Sequence, residues 1–184
     1  MALKHVRLVP GSTRERMVYL AAAILCIFFA VLDQLTKYLV VKYIPLREHI
    51  RIIPGCFDLT YVTNDGAAWN MLSGRFYLLS AISLTVFILL LVFFRKLADY
   101  WQERYYGLFL ILSGILGNSF DRLFRGGEVV DFLHCYIGKY AWPTFNVADS
   151  CICIGVFIFI LSNFLRPENK VEKAAKEMDA GEGK

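Results

Sequence analysis

Four apolar stretches, separated by polar segments, dominate the hydropathy pattern of the chain: 18–41, 76–94, 105–124 and 145–165. Each approaches the roughly 20 residues that a helix needs to cross the hydrocarbon core of a bilayer. Backbone N–H and C=O groups find no water in that core, so a spanning segment satisfies them by forming a helix. The pattern predicts an all-α integral membrane protein, a four-transmembrane-helix bundle with a small β-containing extracytoplasmic segment.

The distribution of Lys and Arg predicts the orientation of this bundle. Basic residues are concentrated before the first apolar stretch, between the second and third, and after the fourth. Cytoplasmic loops of membrane proteins carry such an excess, so we expect both termini to be cytoplasmic. The predicted parts are a tail at 1–17, one membrane domain at 18–165 with outer segments at about 43–75 and 125–144, and a tail at 166–184. The second tail is charged and lacks aromatic residues, as is typical of disordered segments.

The two outer segments are long for simple connections, and long ordered loops often carry function. In the first of them, the β-branched and aromatic run from Phe57 to Val62 predicts a short strand. Asn64-Asp65-Gly66 then predicts a turn.

Composition narrows the class of protein. Of the 184 residues, 57% are hydrophobic and 20% are charged, and the net charge is +4. A disordered chain and a collagen are thereby excluded, and no basic stripe suggests nucleic-acid binding. The three histidines are scattered and no His/Cys cluster has zinc spacing, so we expect no metal. No organic cofactor is expected either. Cys56 and Cys135 lie in polar segments and could pair in an oxidising compartment or remain as thiols.

Several ionisable and amide side chains within the apolar stretches lie at one depth. With a rise of about 1.5 Å per residue, they fall in the outer third of a core about 30 Å thick. Their spacings place each group on one helical face. They are Asp33 with Lys37, then Asn118 with Asp121 and Arg122, then Asn146 with Asp149, while Asp131 lies in the adjoining apolar loop Val129-Val130-Asp131-Phe132.

Each of these groups also has a purely structural interpretation. Asp33 and Lys37 are spaced as an ion pair, and Asn146 and Asp149 match a helix cap. Ionisable residues inside membranes are nevertheless costly and are functional candidates by default. Two aspartates can share one proton: the charged carboxylate takes a proton from water and the neutral one polarises a carbonyl. The shared depth therefore favours peptide hydrolysis at the membrane interface.

Five short blocks carry a family resemblance. In chain order they are Asp33-Gln34-Leu35-Thr36-Lys37, Asn64-Asp65-Gly66-Ala67-Ala68-Trp69, Gly117-Asn118-Ser119-Phe120-Asp121-Arg122, Val129-Val130-Asp131-Phe132 and Phe145-Asn146-Val147-Ala148-Asp149. Together they resemble the signature blocks of the lipoprotein signal peptidase (signal peptidase II) family and extend from about residue 33 to residue 150.

The resemblance implies a membrane-embedded aspartic endopeptidase of the bacterial cytoplasmic (inner) membrane. It implies removal of the signal peptide from diacylglyceryl-modified prolipoproteins by cleavage before the lipidated cysteine, near the outer face. The expected partners are these substrates and membrane lipids, and the expected state is a monomer. The catalytic pair maps onto Asp131 and Asp149. The matching substrate-binding or site-supporting positions are Asp33, Lys37, Asn64, Gly66, Asn118, Asp121, Arg122 and Asn146. A short helix at about 47–53 or 67–72 is expected to close over the site.

Two other functions fit an apolar bundle with charged residues. A small transporter or channel subunit would hold its polar site near the bilayer centre, between helices broken by Gly or Pro. The charged residues here lie nearer the outer surface, and no proline interrupts a predicted span. A non-catalytic scaffold would need no paired aspartates.

Overall fold

The computed structural model describes residues 7–66 and 71–165. The predicted disordered tail at 166–184 and most of the alternative helix at 67–72 lie outside the described residues. The helices are α1 (Thr13–Tyr43), α2 (Phe76–Val92), α3 (Phe94–Ala98), α4 (Gln102–Phe124) and α5 (Val147–Leu165), and the strands are β1 (His49–Ile53), β2 (Phe57–Asn64), β3 (Val129–Ile137) and β4 (Tyr140–Ala141). The fold is therefore mostly helical with one small antiparallel sheet.

Three helices of the described ranges are long and apolar enough to cross a membrane: α1, α4 and α5. They correspond to the first, third and fourth predicted spans. The second stretch forms α2, which is apolar but has only 17 residues. Large apolar side chains on α1, α2 and α5 are exposed on the outside of the bundle, which a soluble protein of this size would avoid.

Local sequence explains where α1 begins and ends. The Ser12 hydroxyl caps the helix by accepting from the Glu15 backbone N–H at 3.2 Å, and Glu15 accepts from the Gly11 backbone N–H at 2.6 Å. At the other end, Ile44 is extended and precedes Pro45, a position where proline disfavours helical backbone. The chain then turns out of the bundle into β1.

Helix α4 is the centre of the bundle and contacts α1, α2, α3 and α5. Glycines bring it close to its neighbours. A Cβ on Gly114 would overlap the Ala148 carbonyl and lie 2.5 Å from Ile152 Cγ1 of α5. A Cβ on Gly117 would lie 2.6 Å from Asp33 Oδ2 of α1. The small-residue face of α4 is therefore what allows α1 and α5 to approach it.

The four strands form one antiparallel sheet in the order β1-β2-β3-β4. Strand β2 confirms the strand predicted from Phe57 to Val62. The prediction of a helix at 47–53 is wrong, because His49–Ile53 forms the exposed edge strand β1. Its β-branched residues Ile50, Ile52 and Ile53 favour a strand.

An apolar cluster attaches this sheet to the bundle. Val40 and Ile44 at the end of α1 are buried against Val130 and Phe132 of β3. These two β3 residues flank Asp131, which thus lies in a strand anchored at the end of the bundle and not in a loop. Cys56 and Cys135 are free thiols in the structure.

Candidate active site

The first turn of α5 carries a reciprocal cap. The Asn146 side-chain oxygen accepts from the Asp149 backbone N–H at 2.9 Å, and Asp149 Oδ2 accepts from the Asn146 backbone N–H at 3.1 Å. This arrangement satisfies two backbone donors that a helix N-terminus otherwise leaves unpaired. Asn146 and Asp149 therefore do cap α5, as their spacing predicted. The cap uses only one oxygen of the Asp149 carboxylate.

Asp131 receives side-chain donors from two elements. Asn146 Nδ2 donates to Asp131 Oδ1 at 2.7 Å, and Asn64 Nδ2 donates to Asp131 Oδ2 at 3.1 Å. Asn118 Nδ2 donates to the remaining oxygen of Asp149, Oδ1, at 2.7 Å. Each of the four oxygens of the two aspartates thus accepts one hydrogen bond, which fixes both carboxyl groups in position.

A buried ionic group lies directly behind these donors. Lys37 Nζ is 2.8 Å from Asp33 Oδ2 and 3.0 Å from Asp121 Oδ2, and all three side chains are almost fully buried. Asp33 also accepts from the Ala148 backbone N–H at 2.9 Å, and Asp121 accepts from the Val130 backbone N–H at 3.1 Å. The ion group therefore joins α1 and α4 to the residues that precede Asp149 and Asp131.

Asn118 transmits this arrangement to the aspartates. Its Oδ1 accepts from Lys37 Nζ at 3.1 Å and from Asn146 Nδ2 at 3.1 Å. Since an ammonium group can only donate, Lys37 determines which end of the Asn118 amide faces it. The amide nitrogen is thereby turned toward Asp149.

Arg122 and the turn after β2 complete the network of hydrogen bonds around the two aspartates. Arg122 Nη2 donates to the Gly66 carbonyl at 3.1 Å, and the Gly66 backbone N–H donates to Asn64 Oδ1 at 2.9 Å. The buried Nε of Arg122 has no hydrogen-bond partner within the described part of the chain. Arg122 therefore fastens the turn that carries Asn64.

A cavity of about 840 Å³ opens beside the two aspartates. Both of them line it, together with Asn64, Asn118 and Arg122. Apolar residues of the segment before α5 and of α5 itself form much of the remaining wall, including Trp142, Phe145 and Ile152. A few polar groups on a largely apolar wall are typical of a ligand site.

Burial of Asp131 raises its pKa from 3.8 to about 7, and the nearby negative charge of Asp149 acts in the same direction. The amides of Asn64 and Asn146 oppose this shift by donating to the carboxylate. A carboxyl group with a pKa near neutrality can hold a proton at physiological pH, which is what a pair that shares one proton requires.

Comparison with known proteins decides the family. The Signal peptidase (SPase) II family profile matches residues 25–165. This chain belongs to the signal peptidase II family. The lipoprotein signal peptidase of Geobacillus kaustophilus (strain HTA426) is 43% identical over 146 residues, covering 79% of this chain and 91% of that protein. That of Staphylococcus aureus (strain Newman) is 36% identical over 153 residues, covering 83% and 93%.

Solved structures agree with the family assignment. A bacterial membrane enzyme determined by the in meso method at 2.3 Å resolution superposes with a TM-score of 0.75 at 32% identity, covering 90% of this chain and 95% of that one. A second, at 1.9 Å resolution, gives a TM-score of 0.71 at 32% identity and covers 90% and 100%. The protein is therefore a membrane enzyme with a signal peptidase II function. It is an aspartic peptidase, as the sequence resemblance predicted.

The structure brings the ten predicted site residues into one connected group, through the hydrogen bonds and ion pairs described above. Sequence reasoning missed Gln34, whose side-chain nitrogen donates to Asp33, to the Gly117 carbonyl and to Asp121. Its place beside Asp33 in the first signature block was the available signal. Sequence reasoning also missed the cavity wall from Trp142 to Phe145, because the bend that places it depends on pairing with Leu133.

Proposed function

We propose that this protein removes signal peptides from diacylglyceryl-modified prolipoproteins, cutting before the lipidated cysteine, with Asp131 and Asp149 as the catalytic pair. The single observation that supports this assignment best is the placement of both carboxyl groups on one cavity, with every carboxylate oxygen held by a donor. The raised pKa of Asp131 favours it as the protonated member.

The chemical steps follow from that protonation state. Asp149, as the carboxylate, takes a proton from water while the water oxygen attacks the scissile carbonyl carbon. Asp131 gives its proton to the carbonyl oxygen, which produces a neutral tetrahedral intermediate. Asp149 then gives its proton to the amide nitrogen, and Asp131 takes a proton from one hydroxyl of the intermediate as the C–N bond breaks. The new amino terminus and a carboxylic acid are released, and the pair returns to its starting protonation state.

Supporting residues orient the pair and the substrate. Asn64, Asn118 and Asn146 hold the carboxyl groups, and Arg122 lines the cavity beside them, where its guanidinium group can bind a substrate carbonyl. Such preoriented donors stabilise charge in the transition state without reorganisation. Asp33, Lys37 and Asp121 act through these residues, and Gly66 anchors the turn to Arg122.

The proposed setting is a bacterial cytoplasmic (inner) membrane crossed four times, with α2 as the second span, both termini cytoplasmic and the site near the outer face. The shortness of α2 is accommodated by local thinning of the bilayer or by the turns beside it. The lipid chains of the substrate remain in the outer leaflet while its signal peptide enters between helices. The membrane domain extends over 18–165, and the protein works as a monomer among membrane lipids.

The test compares two precursors that differ only in lipidation. Purified protein is incubated with a diacylglyceryl-modified precursor and with the same precursor lacking the lipid, and products are separated by gel and identified by mass. We expect cleavage of the lipidated form alone, at the bond before the modified cysteine. Equal cleavage of both forms, or cleavage at another bond, would contradict the proposed substrate.

A further inference from the structure

Two of the three histidines of the chain meet an aspartate on the outer sheet, away from the peptidase cavity. The ligand atoms of His49, Asp58 and His134 all lie within 4.8 Å of one another. None of these residues lines the 840 Å³ cavity. The sequence predicted no metal because the histidines are far apart along the chain, and it is the register of the strands that brings them together.

The register explains the grouping. Asp58 of β2 is directly opposite His134 of β3, and His49 of β1 is opposite Thr60, two residues along β2 from Asp58. Directly paired residues and residues two apart share a face of a sheet. Their neighbours Leu59 and Leu133 pack against the apolar cluster at the end of the bundle. The three side chains therefore project from the opposite face of the sheet.

The pairwise geometry fits two ligands of one ion better than it fits a direct bond. His134 Nδ1 is 4.0 Å from Asp58 Oδ2, which is too long for a hydrogen bond. The same Nδ1 is buried and has no hydrogen-bond partner in the described ranges. Two ligands about 2.1 Å from a tetrahedral zinc ion are about 3.4 Å apart, so small side-chain rotations would close the present gap.

The surroundings of the cluster also suit a metal. Tyr136 donates its hydroxyl to Asp58 Oδ1 at 3.2 Å and stacks on the His134 ring, with centroids 5.2 Å apart. Second partners of this kind orient the ligands of a metal. Arg51, opposite Asp58 in the ladder, is exposed and forms no ion pair with it in the described structure.

We propose that His49, Asp58 and His134 form a binding site for a divalent transition-metal ion of the zinc type. Two imidazoles and one carboxylate leave a fourth position of a tetrahedral ion for water. The ion would join β1, β2 and β3, one ligand from each strand, at a surface that is separate from the peptidase cavity. The proposal goes beyond the proposed function, because it requires neither the substrate nor the catalytic aspartates.

The test measures Zn²⁺ binding directly. The full chain, purified in detergent without a histidine tag, competes with a chromophoric chelator for Zn²⁺ in the absence of substrate. We expect one ion per chain. His49→Gln and His134→Gln should each weaken the affinity by about 100-fold, and Asp58→Asn by about tenfold. His5→Gln, which changes the third histidine of the sequence, should leave the affinity unchanged.

Two further measurements distinguish binding at this site from binding by cysteine thiolates, and distinguish loss of the site from loss of the fold. Cys56→Ser and Cys135→Ser should retain Zn²⁺ affinity, because the proposed ligands include no thiolate. Zn²⁺ should raise the Tm of the wild type and not that of His49→Gln, since a ligand that binds the folded state stabilises it. His49 is exposed on an edge strand, so this variant should fold normally in chelator. Absence of saturable binding by the wild type, or an unchanged Zn²⁺ affinity in His49→Gln or in His134→Gln, would overturn the proposal.

Discussion

Lys37 Nζ lies 3.1 Å from Asn118 Oδ1, and this contact connects a buried ionic group to Asp149, one of the two proposed catalytic aspartates. The ammonium turns the amide so that its nitrogen is 2.7 Å from Asp149 Oδ1. Lys37 thus contacts a residue of the proposed catalytic site without itself lining the cavity. Substitutions at Lys37 and its partners should therefore separate two effects: the effect on the stability of the fold and the effect on the orientation of Asn118.

Replacing Lys37 with methionine should destabilise the protein strongly. The change leaves Asp33 and Asp121 buried beside each other without their shared cation. Breaking a buried pair by removing one partner costs about 3–5 kcal/mol. The measurement is thermal unfolding in detergent, followed by tryptophan fluorescence.

The double variant Asp33→Asn with Lys37→Met provides the control for this loss. It removes one negative charge together with the positive one, so the Tm should recover in part. Peptidase activity should stay low, because the Asn118 amide has lost one of the two donors that orient it. A double variant with wild-type activity would show that Lys37 does not position Asn118.

Asn118→Ala should lower kcat/KM more than it lowers stability. The variant removes the donor to Asp149 Oδ1 and leaves the carboxylate less well oriented. We expect a loss of about 10- to 100-fold in kcat/KM, equivalent to about 1.4–2.7 kcal/mol. Asn163→Ala, an exposed amide toward the other end of α5, is the matched control and should keep full activity. Equal losses in the two variants would argue against a positioning role.

Gly114→Ala should disturb both folding and activity. The added methyl group would overlap the Ala148 carbonyl, one residue before Asp149. Overpacking of this kind costs about 1–3 kcal/mol and pushes the start of α5 away from α4. At Gly107, by comparison, a Cβ would lie 3.0 Å from the Gly155 carbonyl, far from the aspartates along both helices. Gly107→Ala should therefore lower the Tm less than Gly114→Ala does, and it should preserve turnover. A larger loss of Tm and turnover in Gly107→Ala than in Gly114→Ala would contradict this account of the packing.

The raised pKa of Asp131 makes stability depend on pH. The folded protein holds a proton on Asp131 up to about pH 7, whereas the unfolded chain releases it near 3.8. Between these values the folded state binds more protons than the unfolded state. The stability contributed by Asp131 is therefore complete below about pH 3.8 and is lost as the pH rises through about 7. The Tm of the wild type should therefore fall across this window more steeply than that of Asp131→Asn. Parallel Tm profiles for the two proteins would show that Asp131 does not hold the proton.

Much of the fold was predictable because membrane spans are long and apolar. The hydropathy pattern placed α1, α4 and α5 to within a few residues, and strand β2 followed from its β-branched and aromatic residues. The number of spans does not follow from composition alone, because α2 is apolar yet has only 17 residues. Helical spacing also grouped Asn118, Asp121 and Arg122 correctly on α4.

The remaining features depend on contacts between distant segments. Asp131 was expected in a loop, but pairing of β3 with β2 puts it in a strand opposite Val62. Gln34 binds two aspartates and a carbonyl only because α1 and α4 lie side by side. The meeting of His49 with His134 depends on strand register, which the spacing along the chain does not reveal.

Separate substitution of the two aspartates tests the central claim most directly. Asp131→Asn and Asp149→Asn keep side-chain size and are assayed on the lipidated precursor. Asp99→Asn is the control, because Asp99 lies between α3 and α4, away from the cavity, in a left-handed conformation that asparagine also adopts. We predict that each catalytic variant inserts stably and has no detectable turnover, while Asp99→Asn cleaves normally. Near wild-type cleavage by either Asp131→Asn or Asp149→Asn would contradict the assignment of the catalytic pair.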